Sequence, residues 1–233
     1  MEVDQMSLFT RRRVVIGVGS LAALVLIVIG GTYLYVNVIS GDAPAPLSLE
    51  SSPPPATGGN TDLTGDWAVA GGSEAGYRVD EVLNGQDNTV VGRTSDVTGQ
   101  VTVANDEVTA GEITVDMTTV TTDSGSRDGQ FRGPIMQTDE FPTSTFTLTS
   151  PVPLTGLDAG GPISVTATGD LKVRDVTHSI EIQLEVQRSG NGVQVAGSGA
   201  IQFSDFDVDP PNLGFVKVED HGTVEFLLTL DRG

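Results

Sequence analysis

Apolar and polar residues alternate with a period of two through much of the chain beyond residue 88. Because successive side chains of a β-strand point to opposite faces of the sheet, this pattern predicts strands with one apolar and one solvated face. Gly, Asn and Asp at 105–106 and 190–192 mark the turns between them. The predicted strands cover 88–95, 97–103, 107–120, 144–150, 163–173, 180–186, 193–203 and 224–230.

About eight half-buried strands must bring their apolar faces together, either as a sandwich or as a closed barrel without unpaired edges. Periodicity alone does not distinguish these two all-β architectures.

One segment departs from the alternating pattern, because the apolar residues of 126–137 are spaced at helical intervals. It predicts a short helix, interrupted at Gly133-Pro134 because proline lacks the amide hydrogen that a helix needs.

An uncharged, Leu/Ile/Val-rich run occupies residues 14–39. It exceeds the roughly 20 residues that span a bilayer, so it predicts a single transmembrane helix. Three arginines, Arg11 to Arg13, directly precede it and place the N-terminus in the cytoplasm. A cleaved signal peptide is the alternative, but its apolar region would be only about 7–15 residues long. We therefore expect a single-pass protein of the cytoplasmic membrane, with an extracellular or periplasmic C-terminal domain.

Composition divides the chain into four segments. Residues 1–13 form the cytoplasmic N-terminus and 14–39 the membrane helix. Residues 40–62 are rich in Pro, Ser and Gly and predict a linker, with a reach of roughly 25 Å as a flexible coil and about 70 Å if fully extended. Residues 63–233 remain as one domain, long enough to bury a sizeable core.

Charge and cysteine content exclude several functions. The net charge is −19, and Lys172 and Lys217 are the only lysines, so there is no basic face to neutralise nucleic-acid phosphates. The chain has no cysteine, which rules out disulfides, thiol nucleophiles and thiolate metal sites. We predict no nucleic-acid partner and no cofactor other than a bound lipid.

Residues that could carry catalysis or bind a metal lack the necessary spacing. His178 and Ser179 are adjacent, so on a strand they point to opposite faces and cannot act as base and nucleophile. Neither His178 nor His221 has further ligands at zinc-site spacing. The alternating aspartates of 205–209 lack the central glycine and distal glutamate of a calcium loop, which favours a solvated strand end. We predict no catalytic residue and no metal site.

Several short elements occur in order between residues 67 and 231. They are Trp67, Val91-Gly92-Arg93-Thr94, Val97-Thr98-Gly99, the 115–120 strand, Arg127-Asp128, Phe141-Pro142 with Thr145-Phe146, and the 169–178 segment GDLKVRDVTH. This series resembles the YceI-like family, whose members are lipocalin-like barrels that bind long isoprenoid lipids. Asp175 stands where the family usually has glycine, so the turn there is expected to differ.

The resemblance implies a closed, antiparallel, eight-stranded lipocalin-like barrel with one short helix, and non-enzymatic binding of a long apolar lipid. A barrel of eight strands is wide enough either to be filled by side chains or to hold one slender ligand. Gly197, Gly199 and Ala167 are expected to leave room inside. The residues expected to line the ligand site are Phe131, Ile135, Met136, Phe146, Leu148, Ile201 and Phe203.

Two other functions stay open at this point. The barrel of a structural or interaction module at the cell surface would be filled by its own side chains. An enzyme acting on a lipid would need an ionisable residue on an inward face, and the inward positions of the predicted strands carry almost none. For any one of the seven residues, plain core packing is the alternative to ligand contact. Met136 is the best single candidate, because a flexible thioether adapts to an irregular ligand.

Overall fold

The structure is a computed structural model that describes residues 43–49, 62–157, 161–212, 214 and 216–233. The predicted membrane helix at 14–39 and the predicted cytoplasmic segment at 1–13 lie outside the described residues. Within the described ranges, no helix is long and apolar enough to cross a membrane.

The described part of the 63–233 domain is built almost entirely of strands, in one continuous sheet. The strands are β1 (Gly65–Val69), β2 (Glu74–Leu83), β3 (Gln86–Thr94), β4 (Val97–Ala104), β5 (Glu107–Asp116), β6 (Thr143–Leu148), β7 (Val152–Pro153), β8 (Ile163–Val173), β9 (Val176–Ser189), β10 (Gly192–Gln202), β11 (Val216–Val218) and β12 (His221–Arg232). A short helix, α1 (Gly125–Gln130), lies between β5 and β6.

The barrel closes through its first and last strands. β1 and β2 lie end to end along β12, with Val69 opposite Leu230 and Glu74 opposite Leu227. β4 and β3 pair with β1 and β2 in the same way, so 65–83 and 86–104 form one long hairpin. β5, β6, β8, β9 and β10 complete the ring back to β12. The fold is therefore a closed, eight-walled antiparallel barrel, as predicted.

The long hairpin turns at Asn84-Gly85, where both residues have positive φ, 51° and 80°. Such a two-residue turn requires left-handed backbone at both positions, which Asn and Gly adopt at low cost. The first wall, 65–83, was not predicted, because Gly71 and Gly72 interrupt its alternation and because a charged residue, Glu81, lies on the same face as Ala75, Tyr77 and Val79. Conversely, the predicted strands 88–95 and 97–103 are two halves of a single wall.

The predicted helix at 126–137 forms, but it is not broken at Gly133-Pro134. α1 continues into a π-helical turn, Phe131–Ile135, which contains Pro134. The Met136 amide donates to the Phe131 carbonyl at 2.8 Å, five residues back. The wider turn accommodates the proline, whose missing amide hydrogen would disrupt a regular α-helix.

The two ends of the barrel are covered differently. At one end, here called the helix end, the π-helical turn packs Phe131 and Met136 against Val120. At the opposite end, here called the tryptophan end, Trp67 packs with leucines. Those leucines are Leu63, Leu154 and Leu157, each no more than 8% exposed.

Candidate ligand-binding cavity

A cavity of about 320 Å³ lies inside the barrel and is lined by every wall. Its lining is mostly Val, Leu, Ile and Phe. Of the described lining residues, only Tyr77, Ser144, Thr145 and Glu225 carry a side-chain oxygen. The Ser144 hydroxyl donates to the Lys172 carbonyl at 2.6 Å, so it is already satisfied by the wall. The interior therefore suits an apolar ligand.

All seven residues predicted to line a ligand site border this cavity. Phe131, Ile135 and Met136 lie at the helix end, where Phe131 and Met136 are buried. Phe146 and Leu148 come from β6. Ile201 is the second-last residue of β10, and Phe203 begins the 3-10 turn Phe203–Phe206 that follows β10. Their contact with a ligand stays a prediction.

Three aromatic rings lie flat against glycines of a neighbouring strand, an arrangement that strand periodicity did not reveal. A Cβ atom added to any of these glycines would come within 2.4 Å of a ring carbon. The missing side chains let the rings lie along the wall instead of crossing the lumen. The room predicted at Gly197 is thus occupied by a ring. The pairs are Tyr77 on Gly92, Phe146 on Gly169 and Phe226 on Gly197.

Tyr77 joins the wall to the helix end. Its ring stacks on that of Phe131 with 5.2 Å between centroids and 11° between planes. Burial raises the pKa of the Tyr77 phenol above its ordinary value, against the opposing influence of the nearby Arg127 charge. The phenol is therefore neutral at physiological pH and brings no charge to the cavity.

Polar contacts hold α1 in place beside the cavity. The Asp128 carboxylate is 7% exposed and accepts hydrogen bonds from the Thr122 amide at 2.8 Å and hydroxyl at 2.7 Å. Arg127 pairs with the buried Glu81 of β2 at 3.1 Å and with the exposed Asp123. These contacts orient the segment that carries Phe131 and Met136.

Replacing Asp128 with alanine is expected to lower the free energy of unfolding by about 1–3 kcal/mol, because the Thr122 donors lose their acceptor in a buried site. Asp128→Asn keeps an acceptor oxygen and should retain most of the stability. The measurement is urea unfolding of the full chain in detergent. Asp123→Ala is the control, with an expected loss below about 1 kcal/mol. An equal loss from both alanine variants would contradict this role for Asp128.

The polar residues weighed as catalytic or metal-binding candidates lie on the outer surface. His178 and Ser179 are both exposed. The aspartates of 205–209 are exposed too, but they lie on and just after a 3-10 turn instead of at a strand end. Asp207 has a positive φ of 53°, which ends that turn.

One cluster of possible metal ligands was not found from the spacing of residues in the sequence. Ligand atoms of Glu219, Asp220 and His221 lie within 4.8 Å of one another. His221 Nδ1 lies 3.0 Å from an Asp220 oxygen, and this hydrogen bond raises the pKa of His221 and lowers that of Asp220. An exposed ion pair accounts for the contact, and none of the three residues lines the cavity.

Asp175, which stands where the YceI-like family usually has glycine, lies in a two-residue turn between β8 and β9. Arg174, not Asp175, has the positive φ of 55° there. The Arg174 guanidinium donates to the Asp207 carbonyl at 3.1 Å and lies 5.9 Å from the Phe141 ring centroid. The turn thus ties the 3-10 segment to the helix end.

The barrel is similar to solved structures of bacterial proteins. A polyisoprenoid binding domain from Saccharophagus degradans, implicated in plant cell wall breakdown, is 20% identical with a TM-score of 0.56, over 72% of this chain and 98% of that one. BcnA from Burkholderia cenocepacia is 18% identical with a TM-score of 0.53, over 66% and 95% of the two chains.

A comparison with curated proteins found no match. The family model of the YceI-like domain matches residues 68–230, which begin within β1 and end within β12 and so include all eight walls of the barrel. The chain therefore belongs to the YceI-like domain family.

Proposed function

We propose that this chain binds a long apolar lipid of the polyisoprenoid class inside its barrel and catalyses no reaction on it. The observation that carries the proposal is the apolar cavity lined by all eight walls. The alternative of a structural module predicts a barrel filled by its own side chains, and a 320 Å³ cavity does not favour it.

In this proposal, burial of the isoprenoid chain of the lipid inside the barrel supplies the binding free energy. Each methylene removed from water contributes about 0.8 kcal/mol. Association costs about 4–15 kcal/mol in lost freedom of motion, so several isoprene units must enter the barrel before binding becomes favourable. A slender, methyl-branched chain matches a lumen whose rings lie flat against the wall.

The arrangement of charges supports a non-enzymatic role. Glu225 is the only carboxylate among the described lining residues, and it is 3% exposed. It accepts hydrogen bonds from Arg93 at 3.1 and 2.8 Å, and Arg93 also donates to the Ala45 carbonyl, which lies before the barrel in the chain. A carboxylate held in this ion pair is poorly placed to exchange protons with a ligand in the lumen.

The ligand class is supported by the similar barrel from Saccharophagus degradans, which is described as a polyisoprenoid binding domain.

We further propose that residues 14–39 span the cytoplasmic membrane and that the barrel lies outside the cytoplasm. The support for this placement is the length of the uncharged run and the three arginines before it.

Lipid that co-purifies with the full chain tests the proposal. The chain is extracted from its membrane in mild detergent and analysed by native mass spectrometry, followed by identification of the extracted lipid. We expect an adduct with the mass of a polyisoprenoid lipid. A ligand-free chain that also takes up no added polyprenol or isoprenoid quinone would refute the proposal.

A further inference from the structure

A short part of the predicted linker is docked on the barrel. Residues 43–49, here called the strap, have no regular secondary structure and contact two arginines of the long hairpin. Arg78 Nη2 donates to the Pro44 carbonyl at 2.6 Å, and Arg93 Nη2 donates to the Ala45 carbonyl at 2.5 Å. The strap is therefore bound through backbone groups to charged donors, which form stronger hydrogen bonds than neutral ones.

The two arginines are themselves held in place. Glu225 of β12 pairs with Arg93 at 2.8 Å and lies 3.7 Å from Arg78 Nε. The two arginine side chains are about one-fifth exposed, whereas the Glu225 side chain is almost fully buried. Donors fixed by a buried carboxylate lose little freedom when the strap binds, which favours docking.

The strap has a defined direction on the wall. Arg78 lies opposite Thr223, near the start of β12 and the helix end, whereas Arg93 and Glu225 flank Gly76, one step farther from that end. Farther along the chain, the Asp62 carbonyl accepts a hydrogen bond from Arg232 at the tryptophan end. The strap therefore enters beside the helix end and leads toward the tryptophan end.

Docking shortens the tether. Residue 43 follows residue 39, the end of the proposed membrane helix, by four positions. Four residues span at most about 14 Å. A fully extended linker from 40 to 62 would instead reach about 70 Å. With the strap bound, residue 43, next to the Pro44 that Arg78 holds, is kept within about 14 Å of the end of the proposed membrane helix.

The two ends also differ in exposure. At the helix end the cavity is bordered by the partly exposed Ile135, Pro210 and Pro211 as well as by the buried Phe131 and Met136. At the tryptophan end Trp67 and Leu157 are 4% and 2% exposed. The helix end is thus the less covered entrance to the cavity.

We infer that the strap turns the helix end of the barrel toward the membrane, so that lipid passes directly between the bilayer and the cavity at that end. This inference rests on the proposed function and on the proposed membrane helix. The tryptophan end then lies farthest from the bilayer, roughly 28 Å beyond the helix end for a tilted strand of the length of β12.

Two insertions in the full chain test the orientation. About 12 Gly/Ser residues, adding roughly 20 Å of flexible reach, are placed either between Gly41 and Asp42 or between Ala56 and Thr57. The first insertion lies between the proposed membrane helix and the strap, and the second lies beyond the strap. If the strap is docked, only the first insertion lengthens the tether. An undocked linker would respond equally to both.

Energy transfer to labelled lipid reports the position of the barrel. Because the chain has no cysteine, Asp139→Cys at the helix end or Asn191→Cys at the tryptophan end gives a single dye site. Each dye-labelled variant is placed in a nanodisc whose lipid headgroups carry the acceptor dye. We expect higher transfer from position 139 than from 191, a loss of transfer at 139 with the first insertion, and no change with the second.

Equal transfer from the two dye sites, the absence of transfer from either, or equal effects of the two insertions would overturn the inference. The measurement needs no bound lipid, so it is separate from the test of the proposed function. A chain that shows the expected transfer but takes up no lipid retains the orientation and loses the proposed function. A chain that binds lipid but responds equally to both insertions retains the function and loses the orientation.

Discussion

Replacing Ala167 with phenylalanine is expected to reduce lipid uptake by about tenfold or more while the barrel stays folded. Ala167 is 3% exposed in the middle of β8 and faces the cavity. A phenyl ring there takes the space of roughly six ligand carbons, each contributing about 0.8 kcal/mol when buried. Loss of two or three such carbons already exceeds the 1.4 kcal/mol that corresponds to a tenfold change in affinity.

The same variant distinguishes a cavity from a packed core. A ring forced into a filled core costs about 1–3 kcal/mol, whereas a cavity accepts it with little strain. Uptake of a fluorescent polyisoprenoid and the thermal midpoint are measured together on the full chain in detergent. Thr166→Phe is the matched control, because Thr166 is the preceding residue of β8 and is exposed on the outer face. Unchanged uptake by the Ala167 variant would argue that ligand binds elsewhere.

Replacing Trp67 with alanine is expected to lower the free energy of unfolding by about 3–5 kcal/mol, the cost of removing a buried aromatic side chain. Trp67 is 4% exposed and closes the tryptophan end among buried leucines. Its indole Nε1 donates to the Leu63 carbonyl at 2.8 Å, and the Arg232 guanidinium lies 5.1 Å from the ring centroid. One residue thus joins β1, the segment before it and the end of β12.

Circular dichroism during urea unfolding measures this loss, because the variant lacks the sole tryptophan of the chain. Trp67→Phe keeps most of the apolar area but not the indole hydrogen bond, so it should cost about 1–2 kcal/mol. Arg232→Gln removes the exposed cation from the ring face together with its exposed hydrogen bond to the Asp62 carbonyl, and should cost about 1 kcal/mol or less. A loss below about 1 kcal/mol for Trp67→Ala would show that this end does not contribute as the packing indicates.

The walls with strict alternation were predictable and the first wall was not. β8, β9 and β12 bury one face and expose the other, so their side chains report the sheet directly. β2 instead carries a charged residue, Glu81, on the same face as Tyr77 and Val79, where it is buried against Arg127. A strand with a charged residue on its apolar face lacks the alternation of apolar and polar residues by which strands are predicted.

The residues of the candidate site were predictable where the element that carries them was itself predicted. All seven expected residues line the cavity, because inward positions of a barrel follow from strand register once the fold is known. Tyr77 was missed with the wall that carries it. The flat rings over Gly92, Gly169 and Gly197 depend on which residues face each other across strands. That pairing is set by register between distant segments, which local periodicity does not contain.

Sequence alone therefore determined the all-β class, the positions of most strands and the apolar character of the interior, because these follow from the local order of apolar and polar residues. Tertiary structure decided three further properties. It placed the rings against the glycines and so left the lumen open. It buried Asp128 and Glu225 with partners far along the chain or across a loop. It also docked 43–49, a segment whose composition predicts only a flexible linker, because two arginines brought together by the long hairpin offer donors to its carbonyls.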